Sequence, residues 1–220
     1  MFRGITRFTL LSTLLFLFVN CSSKANSSIT KETSTHLGQD FKKAYFASGC
    51  FWCVEAVFES VRGVEEAVSG YAGGDEHSPT YRQVSSGSTG HTETVEVWYD
   101  PKVVSYETLL TVYYGSHNPT TVNGQHPDYG TQYRSAIFYT NEEERKQAEA
   151  YKKKLDKSKK YTSPIATEIS VLKKFWKAED YHQNYESLHP NQPYVKAVSI
   201  PRLKRFQKKY PHLLKTFHKE

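Results

Sequence analysis

Lys43-Ala44-Tyr45-Phe46-Ala47-Ser48-Gly49-Cys50-Phe51-Trp52-Cys53-Val54-Glu55-Ala56-Val57-Phe58 changes its hydrophobic period half-way along. Before Gly49 the apolar run Ala44 to Ala47 reads as a short buried strand. From Cys50 onward Val54, Val57, Phe58 and Val61 fall at i, i+3, i+4 and i+7, the stripe of an amphipathic helix, and Gly63 ends it. The phrase therefore puts a C-x-x-C pair where a strand hands over to a helix.

The alternation continues outward. Residues 64–71 read as a second strand, and a Gly- and Ser-rich loop runs on to Thr92. Residues 93–99 alternate as a strand that stops at Asp100-Pro101, and Ser105 starts a helix with Leu109, Leu110 and Tyr113 inward. A long irregular loop (118–131) precedes a strand at 134–139. Asn141 and Glu144, at capping-box spacing, open a charged helix to about residue 159, and 167–172 reads as the last strand. Interleaved strands and helices predict an α/β fold: a single domain with a central mixed sheet flanked by helices, the reactive cysteine at a strand-to-helix junction.

The chain of 220 residues has a net charge of +6 at pH 7, unevenly spread. Residues 201–220 hold Arg202, Lys204, Arg205, Lys208, Lys209, Lys215 and Lys219 against one acid, Glu220, while the middle of the chain is close to balanced. That distribution argues against a nucleic-acid groove and for a solvated basic end. Leu203, Phe206 and Tyr210 at helical spacing give the same segment one face to pack with.

At the other end, Arg3 and Arg7 precede a short apolar run from Phe8 to Val19, and Cys21 follows with a Ser-rich stretch after it. The run is shorter than the roughly 20 apolar residues a membrane span requires. The segment resembles a bacterial lipoprotein signal, in which such a cysteine is lipidated and becomes the first residue. Asn20 and the missing Leu three residues before Cys21 depart from that pattern, so simple secretion and an uncleaved anchor stay open. The expected organisation is a signal segment at 1–20, a flexible tether at 21–41, a catalytic domain at 42–200 and a basic segment at 201–220. The mature protein is expected outside the cytoplasm, facing the periplasm or cell exterior on a lipid anchor at Cys21, and monomeric.

The pair Cys50 and Cys53 then stands alone. A helix amino end carries unpaired N–H groups that favour thiolate at Cys50. Cys53 lies one turn on, with Cα atoms about 5 Å apart, inside the range that a disulfide tolerates. This assigns Cys50 as attacking and Cys53 as resolving sulfur. Zinc would require further Cys or His at ligand spacing, and no second C-x-x-C exists, so no metal is expected. An inert disulfide would close only a tiny loop and stabilise little. A general thiol–disulfide oxidoreductase of thioredoxin-like logic is the serious rival.

The remaining motifs bear on that choice. GCFWCVEAVFE (49–59), GYAGG (70–74), PTYRQVSSGSTGHTETVEVWYDP (79–101), SYETLL (105–110), DYGTQYRSAIFY (128–139), TEI (167–169) and AEDYHQNY (178–185) occur in order. Over residues 44–214 the chain resembles peptide methionine sulfoxide reductase of the A type. The resemblance implies thiol-dependent reduction of the S epimer of methionine sulfoxide, free or in proteins, as oxidative-stress repair. It further implies electrons from a thioredoxin-like donor and no cofactor. Phe51 and Trp52 look like the family's seat for the S-methyl group. Tyr81 and Tyr133 match the two tyrosines that bond the sulfoxide oxygen, and Asp128 matches a supporting acid. Glu93 shares a strand face with Val95, Val97 and Tyr99, so it is read as an inward carboxyl group, kept protonated by burial and ready to donate to that oxygen. His91 is given a structural loop role. Many relatives carry a resolving cysteine near the carboxyl end; this chain has none after Cys53, and Ser85 stands where some carry another.

Overall fold

The computed structural model describes Met1 and residues 40–216. The expected signal segment, Cys21 and nearly all of the tether lie outside the described residues. Two units divide the chain, at Thr35/His36, and the second, to which all that follows refers, holds the catalytic motifs.

Six strands form its sheet in the order β7-β6-β1-β3-β2-β8. Strand β1 (Lys42–Ser48) lies at the centre, antiparallel to β3 (Thr92–Tyr99) and to β6 (Ser135–Tyr139). Strand β2 (Val64–Ala72) pairs antiparallel with the other side of β3, and β7 (Glu168–Val171) runs parallel to β6, so the sheet is mixed. Contrary to expectation, the strand at 167–172 is not the last: β8 (Trp176–Lys177) follows it and closes the edge beside β2. Two residues are too few to show a period.

Helix α1 (Phe51–Glu59) follows β1 at once. Gly49 makes that turn possible: its φ is +88°, and a Cβ there would meet the Gln125 side chain at 2.8 Å. Val54, Val57 and Phe58 of the predicted stripe are the buried face of α1, at 0 % exposure. The helix stops at Glu59, short of the expected end at Gly63, and Val61, equally buried, bridges to Leu214 instead. Phe58 stacks on Phe46 of β1 at 4.9 Å between ring centroids, and Tyr113 stacks on the same ring at 5.3 Å. Tyr113 belongs to α3 (Tyr106–Gly115) and donates its hydroxyl to the Ala47 carbonyl at 3.1 Å. Burying such aromatic groups is what holds α1 and α3 on the sheet, each ring contributing about 2–3 kcal/mol.

The Gly-rich loop holds a short helix α2 (Tyr81–Ser85), capped by Thr80 and Gln83. The irregular loop holds a two-residue hairpin, Gly124–Gln125 against Asp128–Tyr129 (β4 and β5). Helix α4 (Glu142–Lys157) starts at Asn141 as expected, but only half of the capping box forms. The Asn141 side chain accepts the Glu144 N–H, whereas the Glu144 carboxylate turns back to the Thr140 N–H at 2.7 Å. After a short α5 (Tyr185–Leu188), helix α6 (Ile200–Lys209) carries part of the basic segment. It packs on the domain through buried Phe206 and half-buried Leu203, and it also buries Arg202. Among the described residues no helix is long and apolar enough to cross a membrane.

Candidate active site

Cys50 is the residue before the first turn of α1, and the Cys53 and Val54 N–H groups both reach its carbonyl, at 3.1 and 3.3 Å. Both cysteines are unbridged and buried. The expectation that the helix end would hold Cys50 as thiolate is not met. Burial pushes the Cys50 thiol well up, and its hydrogen bond to Cys53 and the nearby Glu93 add to this. Cys53 is instead pulled down to about 7, first by the hydrogen bond from Cys50, then by Arg202, Ser199 and Tyr194 against the effect of burial. Of the two sulfurs, Cys53 is therefore the one favoured to carry negative charge.

Glu93 explains why the helix end is not free to act on Cys50. Its carboxyl group, 2 % exposed, accepts the Phe51 N–H at 2.9 Å, taking the first donor of α1. Burial pushes its pKa up to about 8, opposed by that N–H and reinforced by Asp128 and Cys53. At neutral pH the group is a carboxylic acid beside the cysteines. Val95, Val97 and Tyr99 on the same strand face are buried with it, but so are Thr94 and Glu96 on the opposite face, because the strand lies inside the sheet and is covered on both sides. Glu96 faces the other side and is held by the Tyr45 hydroxyl at 2.7 Å and the Trp98 N–H at 2.9 Å.

An aromatic wall surrounds these groups. Phe51 stacks with Tyr81 at 6.4 Å, and Trp52 lies 6.1 Å from Phe51. Tyr81 is half-buried and pushed up to about 12 by burial, then by Glu93 and Cys50. Tyr133 is raised by burial, then by Glu93, Tyr81, Cys50 and Asp128, so its hydroxyl shares their surroundings. Asp128, on the small hairpin, is raised by burial and accepts the Tyr194 hydroxyl at 2.5 Å. Tyr194 also lies 3.9 Å from the Cys53 sulfur. The fold thus brings every proposed site residue from Cys50 to Asp128 to one place.

Several supports were not read from the sequence. His182 accepts the Trp52 indole N–H at 3.1 Å and packs against Phe51 at 4.9 Å and Tyr81 at 4.4 Å. Burial holds it down to about 4, so the ring is neutral. Glu179 accepts the Tyr81 N–H at 2.9 Å and the Tyr71 hydroxyl at 2.8 Å, fixing the start of α2. Both belong to the phrase AEDYHQNY, which was the available signal. Tyr194 had none. Glu55 is buried, pushed up to about 8 by desolvation, and clamps the Ser69 hydroxyl and the Asn184 N–H. His91 is structural as expected: it accepts the Gly74 N–H and donates to the Glu76 carbonyl at 2.8 Å. Among the described residues no three His, Cys, Asp or Glu side chains converge as metal ligands.

A mixed sheet that presents two free thiols, a protonated carboxyl group and an aromatic wall at one strand-to-helix junction defines a thiol oxidoreductase. The family model for peptide methionine sulfoxide reductase matches residues 42–214. The peptide methionine sulfoxide reductase MsrA of Chromobacterium violaceum is 47 % identical over 173 residues, which are 79 % of this chain and 98 % of that protein. Methionine sulfoxide reductase A of Corynebacterium diphtheriae superposes with a TM-score of 0.62 at 36 % identity, over 70 % of this chain and 78 % of that one. Mxr1 of Saccharomyces cerevisiae, in reduced form, gives 0.65 at 33 % identity, over 69 % and 87 %. The chain belongs to the peptide methionine sulfoxide reductase family, A type, and its activity is that of a peptide-methionine (S)-S-oxide reductase.

The buried acid has a consequence for stability. A carboxyl group whose folded pKa is raised contributes fully below its unfolded value near 4.3 and progressively less as pH rises through about 8. The Glu93→Gln chain, which cannot ionise there, is expected to gain in urea midpoint relative to the parent between pH 5 and 9. A constant difference across that range would show that Glu93 is not held as an acid.

Proposed function

We propose that Cys50 is the attacking sulfur, Glu93 the acid and Cys53 the resolving sulfur of a two-cysteine cycle. The observation that carries this is the protonated Glu93 carboxyl group on the Phe51 N–H, next to a buried thiol pair. A sulfoxide seated with its methyl group on Phe51 and Trp52 places its oxygen toward Tyr81, Tyr133 and Glu93. Cys50 passes its proton across the hydrogen bond to Cys53 and attacks the sulfoxide sulfur, while Glu93 protonates the oxygen. The hydroxyl passes to the Cys50 sulfur as the substrate's sulfur–oxygen bond and the new Cys50–methionine sulfur bond break, so that methionine leaves and Cys50 is left as a sulfenic acid. Two electrons have then moved from Cys50 to the methionine sulfur. Cys53 condenses with the sulfenic acid, and a disulfide and water form. Asp128 acts through Tyr194, which it holds against the Cys53 sulfur.

An external dithiol closes the cycle by exchange. A thioredoxin-like protein is the reductant we propose, and no cofactor held by the chain is needed. Without a later cysteine, Cys53 is the resolving group. The Cys53→Ser chain is expected to form about one methionine per chain from the S epimer in a first turnover, none from the R epimer, and then to stall with thioredoxin as sole reductant. Normal turnover of that variant with thioredoxin would remove Cys53 from the cycle.

We further propose that the enzyme works outside the cytoplasm, on oxidised exported proteins, tethered by a lipid on Cys21. The reading rests on the charged, short apolar amino end and the Ser-rich stretch after Cys21. Mass spectrometry of the mature amino end is expected to find a diacylglyceryl-modified Cys21 as first residue; an unmodified later residue there would contradict the anchor.

A further inference from the structure

Arg202 is the unusual member of the basic segment. Its neighbours Lys204, Arg205, Lys208 and Lys209 are exposed, whereas Arg202 is 8 % exposed. Its guanidinium donates to the Ser48 carbonyl at 2.9 Å, the Ser48 hydroxyl at 3.1 Å and the Ser116 carbonyl at 2.9 Å. All three acceptors are uncharged. A buried cation without a hydrogen-bonded carboxylate is costly, and an anion beside it offsets that cost. Three groups that can carry negative charge face it: the Asp128 and Glu186 carboxyl groups and the Cys53 sulfur, each favoured as an anion by Arg202. Of these, Cys53 and Asp128 line one cavity of about 510 Å³ with Arg202 and Tyr194.

We infer that Arg202 is a positioning residue of the recycling half of the reaction, keeping Cys53 as a thiolate while fastening Ser48, two residues before Cys50. The inference rests on the proposed reading of Cys53 as resolving sulfur. In closure Cys53 gives up the proton it took from Cys50 and attacks the Cys50 sulfenic acid as a thiolate: a sulfur–sulfur bond forms, the sulfur–oxygen bond breaks, and the departing hydroxide takes up that proton as water. In recycling the dithiol attacks Cys50, the disulfide breaks, and Cys53 leaves as the thiolate that Arg202 favours. The second thiol of the reductant then displaces Cys50, and the reductant ends as the disulfide.

The other groups around Cys53 do not supply that charge. Cys50, Glu93, Asp128 and Tyr194 are neutral or anionic. Of the remaining groups on the cavity, burial holds His117 down to about 3, and His126, Arg205 and Lys209 stand exposed to solvent, where screening weakens them.

The test is single turnover of methionine S-sulfoxide without reductant, from pH 5.5 to 9, with methionine, trapped sulfenic acid and disulfide measured separately. In Arg202→Gln, closure at pH 7 is expected to slow about tenfold and its pH midpoint to rise by about one unit, so that sulfenic acid accumulates. Arg202→Lys, which keeps the charge but not the fork, is expected to restore the midpoint. A purely structural residue would leave the midpoint in place and make Lys as harmful as Gln; either result overturns the inference. A measurement that needs no change at Arg202 stands beside it. In the Cys50→Ser chain the Cys53 thiol is expected to titrate below the ordinary value of about 8.5, and a midpoint at or above that value overturns the inference. If the Cys53→Ser chain itself closes and recycles normally, the reading of Cys53 fails; if it stalls while Arg202→Gln closes like the parent, only the role of Arg202 fails.

Discussion

The Glu93 carboxyl group, buried on the first N–H of helix α1, is the interaction on which the rest of the site depends. It ties β3 to the strand-to-helix junction and uses the helix donor that would otherwise have stabilised a charge on Cys50. Burial outweighs that hydrogen bond, so the group remains an acid up to about pH 8. A carboxyl group and a thiol that are both protonated at rest form a site in which neither partner is spent before a sulfoxide arrives. The fold supports this by burying both groups where β1 meets α1 beside β3, so that water does not stabilise either charge.

The two cysteines divide the work through their surroundings more than through the helix. Cys50 sits toward Glu93, Tyr81 and Tyr133, and burial there disfavours a negative charge on its sulfur. Cys53 sits one turn deeper, toward Tyr194 and Arg202. In the cycle we propose, a proton moving between them converts a resting pair into an attacking one, and the same asymmetry makes Cys53 the better leaving group. The basic carboxyl-terminal helix, which in sequence reads as a solvated end, contributes one buried cation to that arrangement.

Much of this was legible in the residues. The change of period at Gly49 located the strand, the helix and the cysteine between them. The alternation from Glu93 to Tyr99 placed a carboxyl group inside, and the structure puts it there with Val95 and Val97. What the sequence did not carry were contacts between distant segments. Tyr194 reaches Asp128 across 66 positions, and Arg202 reaches Ser48 across 154. No local spacing encodes such pairs, and a single Arg in a run of basic residues looks like its exposed neighbours. The sign of the Cys50 shift was missed for a related reason: helix position is read locally, but desolvation depends on everything packed above the sulfur.

We propose that the buried Glu93 acid delivers the proton to the sulfoxide oxygen. The most direct test of this role is the pH dependence of the methionine burst under single-turnover conditions, for the parent, Glu93→Gln and Glu96→Gln. In the parent the burst is expected to decline as pH rises through about 8, since that is where Glu93 loses its proton. Glu93→Gln should be about a hundredfold slower below that pH and lack the decline, while Glu96→Gln keeps both rate and profile. Equal slowing of the two variants, or a decline near pH 8 that persists in Glu93→Gln, would contradict it.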